Sequence, residues 1–158
     1  MQWSKITDII LIASLAILAV FAVLGLYQWI TRKSFKKVDK PLLAMFAPLS
    51  LMVITYLIFD KLLILNTRPN GSGEPSFPST HTMVTATIFL CVAIILPRYI
   101  KSKAACITLD ILMLILTILV SIGRVLANMH WASDVVGGLI FSAIFATIYY
   151  LIIRRKHV

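Results

Sequence analysis

Three short polar segments interrupt an otherwise apolar chain, and their residue types could carry out phosphoryl transfer. Residues 61–69, 78–81 and 124–134 hold two of the three histidines in the 158-residue sequence. Fixed cations could bind phosphate oxygens, one histidine could attack phosphorus, and a second could donate a proton. A carboxylate could orient the attacking histidine. These segments therefore predict a phosphoryl-transfer site.

The first segment contains two cations that are seven residues apart. If a helix continued through them, Lys61 and Arg68 would lie two turns apart and could face one cavity at the outer end of the second span. Arginine offers a planar fork for phosphate oxygens, whereas lysine offers a compact charge. Either residue alone is better explained as a cation that reaches from a membrane boundary to water.

The second segment is typical of a helix start. Pro78 precedes Ser79 and Thr80, and either hydroxyl residue could be the N-cap. Unpaired N–H groups and the helix dipole favour a bound anion at such an end. His81 would lie in the first turn beside that anion, although it could also be a boundary histidine that faces water.

The third segment combines a cation, a histidine and a carboxylate. If the segment is helical, His130 and Asp134 share one face, so the carboxylate could fix the imidazole tautomer and leave the other nitrogen free to attack. Arg124 could hold a phosphate oxygen nearby. The alternative is a helix-capping Asp134 beside a structural His130.

Metal binding is the main rival chemistry for these residues. Glu74, His81, His130 and Asp134 could ligate a cation, but the sequence has no H-x3-H motif and no Cys/His cluster. Three cations in the same segments would also repel a metal. We therefore predict a site with no metal and no other cofactor.

Long apolar stretches must position these segments. The chain is 60% hydrophobic with a mean hydropathy of +0.97, which is outside the range of a soluble domain. Five stretches could span a bilayer, and each must be helical to satisfy its backbone: 8–30, 41–59, 82–97, 104–122 and 135–153. The prediction is an all-α polytopic transmembrane bundle of about five spans, forming one domain over 1–158 with the motifs in 61–134. We expect the first span to be a retained helix, because its apolar region is long for a signal peptide and no A-x-A-like site ends it.

The distribution of Lys and Arg predicts the orientation of the bundle. In a five-span arrangement eleven of these residues fall on one side, which the positive-inside rule makes cytoplasmic: Arg32, Lys33, Lys36, Lys37, Lys40, Arg98, Lys101, Lys103, Arg154, Arg155 and Lys156. The other four are Lys5, Lys61, Arg68 and Arg124. The amino-terminus and the active site are thus predicted at the outer membrane interface. Because the positive charge lies between apolar runs, it does not indicate nucleic-acid binding.

The ordered segments K-x6-R-P, P-S-T-H and R-x5-H-x3-D resemble the signature of the type 2 phosphatidic acid phosphatase superfamily. That signature is K-x6-R-P, P-S-G-H and S-R-x5-H-x3-D. The resemblance implies a metal-independent phosphatase in which His130 forms a phosphohistidine, Asp134 orients it and His81 protonates the leaving oxygen. It further implies that a second group of residues binds phosphate, namely Lys61, Arg68, Ser79, Arg124 and the backbone of Thr80.

Three features depart from the family pattern. Thr80 replaces a glycine, Gly123 replaces the serine before Arg124, and five spans stand where the membrane enzymes usually have six. Thr80 is expected to restrict the approach of the backbone to phosphate, and Gly123 removes one possible hydrogen bond.

The resemblance implies a substrate that is a lipid phosphate or diphosphate, presented at the outer leaflet of the cytoplasmic membrane. Undecaprenyl diphosphate is the first expectation, because a small protein with little extramembrane surface suits a headgroup that is mostly phosphate. Phosphatidylglycerophosphate and phosphatidic acid are the alternatives. Two other functions are a lipid phosphotransferase and a non-enzymatic protein that binds or transports lipid phosphate or another anion.

Overall fold

The computed structural model describes residues 2–154, and it is a bundle of helices. The main helices are α1 (Gln2–Arg32), α2 (Lys40–Ala44), α3 (Phe46–Leu57), α4 (Thr80–Ile95), α5 (Lys103–Leu126) and α6 (Ala132–Arg154). Two short 3₁₀ turns cover Phe35–Lys37 and Leu96–Arg98, and a π-helical turn covers Ile58–Leu62. Across these described residues, the one β feature is an isolated bridge between Thr67 and Pro75. The predicted all-α bundle is confirmed.

Five helical segments within residues 2–154 are long and apolar enough to cross a membrane. They are Gln2–Arg32, Lys40–Leu62, Thr80–Arg98, Lys103–Leu126 and Ala132–Arg154. Each predicted span lies inside one of them, and the observed helices extend further at their ends. Arg155, Lys156 and His157 lie outside the described residues.

The second span is bent rather than a single straight helix. It divides at Met45, where α2 ends and α3 begins. Pro48 explains the division, because proline has no N–H to donate to the carbonyl of Ala44 one turn earlier. The predicted single helix over 41–59 is therefore correct in extent and wrong in continuity.

The helix α4 is the centre of the bundle, and α1, α3, α5 and α6 pack around it. Its Ile88, Phe89, Val92 and Ile95 are buried in the main core cluster together with residues of the surrounding helices. Those surrounding helices expose many large apolar side chains, as expected for surfaces that contact lipid. The amino-terminal end of α4 is thus enclosed by the other helices.

Small residues bring α6 close to the start of α4. A Cβ atom at Gly138 would lie 3.0 Å from the carbonyl oxygen of Ser79 and 3.3 Å from the nitrogen of Met83. The hydroxyl of Ser142 lies 2.9 Å from the carbonyl oxygen of Met83. This close packing fixes the beginning of α4 against the beginning of α6, where two of the three polar segments meet.

Candidate active site

His130, the predicted nucleophile, is buried and held by a hydrogen bond to the backbone. It lies in the turn between α5 and α6, and only 4% of it is exposed. Its Nδ1 is 2.8 Å from the carbonyl oxygen of Ser76. Because a carbonyl can only accept, Nδ1 carries the hydrogen, and Nε2 of the neutral ring carries the lone pair.

Asp134 holds the turn that carries His130. Its Oδ2 accepts the N–H of Trp131 at 2.9 Å, and its Oδ1 accepts a hydrogen bond from Asn66 Nδ2 at 3.1 Å. The first of these contacts is half of a capping box, in which the third helical residue caps the N–H before the helix. The predicted capping alternative therefore describes Asp134 well.

The segment from His130 to Asp134 is not one helix, because α6 begins only at Ala132, so the condition for the predicted helical pairing is not met. Asp134 Oδ2 lies 3.8 Å from His130 Nδ1, which is an electrostatic contact rather than a hydrogen bond. The carbonyl of Ser76 provides the hydrogen bond that fixes the tautomer. An orienting role for Asp134 stays a prediction, and its visible contribution is to the turn.

Burial keeps His130 uncharged at neutral pH. Desolvation, followed by the positive charge of Arg124, lowers the pKa of His130 to about 4, although the Ser76 carbonyl and Asp134 favour the charged form. An ordinary histidine titrates near ~6.5. The ring of His130 is therefore neutral, with a free lone pair, over the whole physiological range.

This shifted pKa can be measured without any assay of activity. In a histidine-labelled sample in detergent, we expect the NMR resonances of the His130 ring to titrate near pH 4, so that the ring is still neutral at pH 5. A His130→Gln variant assigns the resonances, and a folded-state check at each pH excludes unfolding. Titration near pH ~6.5 would contradict the described burial of this ring.

Arg124 brings a buried positive charge to the same end of the bundle. Its side chain is 5% exposed, and its Nη1 lies 3.5 Å from Asp8 Oδ1 and 3.4 Å from Thr7 Oγ1. Its Nε is buried, with no hydrogen-bond partner among residues 2–154. Arg124 thus keeps a directional donor for an acceptor such as a phosphate oxygen.

Arg68 reaches the site from the loop that follows the second span. Its Nη1 forms an ion pair with Glu74 Oε2 at 2.7 Å, and its N–H donates to the carbonyl of Glu74 at 2.9 Å. Its Nε is also buried, and none of the described residues accepts a hydrogen bond from it. The charges of Arg68 and Arg124 both act on His81 and on His130, so the four side chains form one electrostatic cluster.

Lys61 is not part of this cluster. It lies in the π-helical turn, where its Nζ pairs with Asp60 Oδ2 at 2.7 Å and its side chain is 70% exposed. The helix ends at Leu62, so the predicted spacing of two helical turns between Lys61 and Arg68 is wrong. A phosphate-binding role for Lys61 stays a prediction.

Ser79 is the N-cap of α4, as predicted, and Thr80 begins the helix. The N–H of Ser79 donates to the carbonyl of Asp134 at 2.9 Å, and the N–H of Met83 is bonded to the carbonyl of Ser79. The intervening N–H groups of Thr80, His81 and Thr82 have no carbonyl within the helix to bind, as at any helix start. The Ser79 hydroxyl is buried, 3.1 Å from that of Thr82. The backbone here is thus better placed than this hydroxyl to bind an anion.

Two residues of α1 in the site were missed by the sequence analysis. Asp8 Oδ1 is 2.8 Å from His81 Nε2, and Thr7 contacts Arg124. The available signal was that Asp8 is the one acidic residue in a long apolar helix, which usually indicates a functional position. In the sequence-based prediction, residue 8 is only the boundary of the first span.

Gly123 allows α1 to come this close. A Cβ at this position would lie 2.7 Å from Thr7 Cγ2 and 3.3 Å from Trp3 Cε3. A serine, as in the family pattern, would therefore collide with α1. Besides removing a hydrogen bond, the glycine makes room for Thr7 and its contact with Arg124.

The fold and the site define a helical, membrane-type protein with a cationic cluster that contains two histidines at one end of its bundle. Residues 56–157 match the PAP2 superfamily, and the chain belongs to that family. The resemblance that the three motifs indicated is confirmed.

Two relatives illustrate the family. The chain is 31% identical over 84 residues to a lipid A 1-phosphatase from Rhizobium johnstonii, and the match covers 53% of this chain and 30% of that protein. The chain thus spans less than a third of that relative's length. The fold is similar to the crystal structure of a transmembrane PAP2-type phosphatidylglycerophosphate phosphatase from Bacillus subtilis, with a TM-score of 0.67. That likeness covers 95% of this chain and 72% of the other at 21% identity, and it concerns the fold.

Proposed function

We propose that this protein is a metal-independent phosphatase that removes phosphate from a lipid phosphate or diphosphate headgroup through a phosphohistidine at His130. The observation that carries the proposal is the buried, neutral His130, whose Nδ1 is held by the Ser76 carbonyl so that Nε2 keeps its lone pair. Simple anion binding requires no such positioned nucleophile. Membership of the PAP2 superfamily and the lipid phosphates named for the two relatives support the same reaction.

The phosphate group would be bound by donors that have no other described partner. The Nε groups of Arg68 and Arg124 are buried and unpaired within residues 2–154. The first N–H groups of α4 and its dipole add a second set of donors. Stabilising charge on the equatorial oxygens is the main task in phosphoryl transfer, so this donor set suits the transition state.

The reaction would have two steps. First, Nε2 of His130 attacks phosphorus and the bond to the leaving oxygen breaks, while His81 gives its proton to that oxygen. Next, water attacks the phosphohistidine, His81 takes a proton from the water, and the N–P bond breaks to release inorganic phosphate. His81 thus acts as acid and then as base. Asp134 supports both steps by holding the turn of His130.

An apolar loop beside the site supports a lipid substrate. Leu62, Leu63, Ile64 and Leu65 are all exposed, and they lie just before Asn66 and Arg68 in the chain. Such a strip can contact acyl or prenyl chains while the arginines hold the headgroup. Undecaprenyl diphosphate remains our first choice, and phosphatidylglycerophosphate and phosphatidic acid follow. The excess of Lys and Arg on the opposite side supports an extracytoplasmic catalytic face with the amino-terminus outside.

A panel of lipid mono- and diphosphates tests this function. We expect the purified protein in detergent to release inorganic phosphate with EDTA present, and vanadate to inhibit it by mimicking pentacoordinate phosphorus. Activity that disappears with EDTA would contradict the metal-free mechanism. Transfer of phosphate to an added alcohol instead of water would indicate a phosphotransferase. Binding of every lipid without turnover would identify a binding or transport protein.

A further inference from the structure

Asp8 joins the first helix to the candidate acid of the reaction. Its Oδ1 is 2.8 Å from His81 Nε2 and 3.5 Å from Arg124 Nη1. These three groups come from α1, α4 and α5, so three separate helices converge on one carboxylate oxygen. None of the three family motifs includes Asp8.

The packing of α1 determines where this carboxylate lies. Thr7, the residue before it, is fully buried, and its hydroxyl is 2.8 Å from the carbonyl of Ser4. The same hydroxyl oxygen lies 3.4 Å from Arg124 Nη1. Gly123 of α5 leaves the space that Thr7 and Trp3 occupy. The first turns of α1 therefore pack closely against α5, and this packing places Asp8 beside His81.

The negative charge of Asp8 offsets positive charge around His81. The side chain of His81 is 22% exposed, and Arg124 of α5 contacts the same Asp8 oxygen as the His81 ring, while Arg68 adds positive charge from the loop. Burial and positive charge both oppose a proton on this ring. An acid catalyst must nevertheless be protonated when the leaving oxygen departs. Asp8 is the negative group that faces this ring, and a carboxylate that accepts the Nε2–H favours the charged imidazole.

We propose that Asp8 is a positioning residue that holds His81 and favours its protonated form for leaving-group departure, an inference that rests on the proposed phosphatase function. With Nε2–H bound to Asp8, the proton on Nδ1 is the one available to the leaving oxygen. His81 returns to the charged form when it takes a proton from water in the second step.

The opposite possibility is that Asp8 obstructs the site. Its oxygen touches Arg124, a predicted phosphate ligand, and its side chain is 49% exposed and so able to move aside. In that case removal of its charge would strengthen the binding of phosphate analogues. The two possibilities therefore predict opposite effects of one substitution.

The Asp8→Asn substitution distinguishes the two possibilities, because it removes the charge of the side chain and keeps its size. We expect kcat on a lipid phosphate to fall roughly 10- to 100-fold, the range seen for carboxylates that hold a metal-ligating histidine in place, with little change in KM. The loss should be much smaller with p-nitrophenyl phosphate, whose leaving group needs no proton. The basic limb of the pH–rate profile should move to lower pH. The Asp8→Glu variant should be more active than Asp8→Asn, because it keeps the negative charge. It also provides a second test if the asparagine variant fails to fold.

Asp110→Asn is the matched control. It removes a carboxylate from an exposed position on α5 that lies about 21 Å along the helix axis from Arg124, at ~1.5 Å per residue. The proposal is overturned if Asp8→Asn matches Asp110→Asn, if both substrates lose activity equally, or if vanadate binds the Asp8→Asn variant more tightly. A wild-type protein that releases no phosphate from any substrate would overturn the proposed function itself, and this inference with it.

Discussion

His130→Ala is expected to eliminate phosphate release, with kcat reduced on the order of 10⁴-fold or more, as when a nucleophile is removed from other covalent enzymes. The reason is that Nε2 of His130 is the group that forms the bond to phosphorus, and a methyl group offers no substitute. The wild-type ring is buried and bonded to the Ser76 carbonyl, so the substitution removes a nucleophile that the fold holds in place. The measurement is steady-state phosphate release from a lipid diphosphate in detergent.

Trapping of the intermediate makes this test specific. Wild-type protein quenched after a brief exposure to ³²P-labelled substrate should carry acid-labile, alkali-stable phosphate, and His130→Ala should carry none. His81→Ala should accumulate that phosphate when the leaving group is p-nitrophenolate, because the first step then needs no acid and the second still needs a base.

Trp131→Phe is the control for His130→Ala. It changes the adjacent residue and removes one hydrogen bond, from Trp131 Nε1 to the carbonyl of Thr67 at 2.9 Å. The backbone N–H that Asp134 caps is kept, so we expect a loss of only a few-fold. A His130→Ala variant with wild-type turnover, or labelled phosphate on that variant, would remove His130 as the nucleophile.

The spans were predictable because the bilayer fixes their length and polarity. A helix that crosses hydrocarbon needs about 20 apolar residues, and five such runs stand out from the polar segments between them. The cationic and histidine positions were predictable for a related reason. Charged residues are costly near a membrane, so Arg68, Arg124, His81 and His130 are conspicuous against their surroundings.

The partners of those residues were harder to predict, because they depend on contacts between distant segments. Ser76 acts through its backbone carbonyl, which has no sequence signature. Asp8 lies far along the chain from His81, and only the packing of α1 at Gly123 brings them together. The predicted helical spacing of Lys61 and Arg68 was wrong for a local reason, because a π-helical turn ends the span one residue after Lys61, which pairs with Asp60.

Asp134 shows how one residue can satisfy two interpretations. Its spacing from His130 suggested a direct pair on a helix, and in the structure its carboxylate instead caps the backbone N–H of Trp131, the residue after the histidine. Both interpretations place a carboxylate near His130, at 3.8 Å. The difference is energetic, because a cap stabilises the turn in every state, whereas a direct hydrogen bond would act on the imidazole itself.

Arg124→Lys is the second substitution with a large expected effect. We expect kcat/KM for a lipid phosphate to fall roughly 100- to 1,000-fold, the range seen when one donor to a developing charge is lost. The guanidinium contacts Asp8 and Thr7 through Nη1 while its Nε remains available. A lysine ammonium is a compact point charge, and it cannot contact Asp8 and Thr7 and also donate to the phosphate as the forked guanidinium can. Steady-state kinetics and vanadate inhibition measure the loss.

Arg154→Lys is the matched control for this change. Arg154 ends α6, about 33 Å along the helix from its start at ~1.5 Å per residue, and its guanidinium lies 5.9 Å from the Tyr150 ring centre. This exposed contact is weak, so kcat/KM should change less than about twofold. If Arg124→Lys lost activity only through poorer folding, its thermal midpoint in detergent would fall and vanadate affinity per folded molecule would be unchanged. We expect the reverse, a similar midpoint with weaker vanadate binding, because the positive charge in the core is retained and only the directed donor to phosphate is lost.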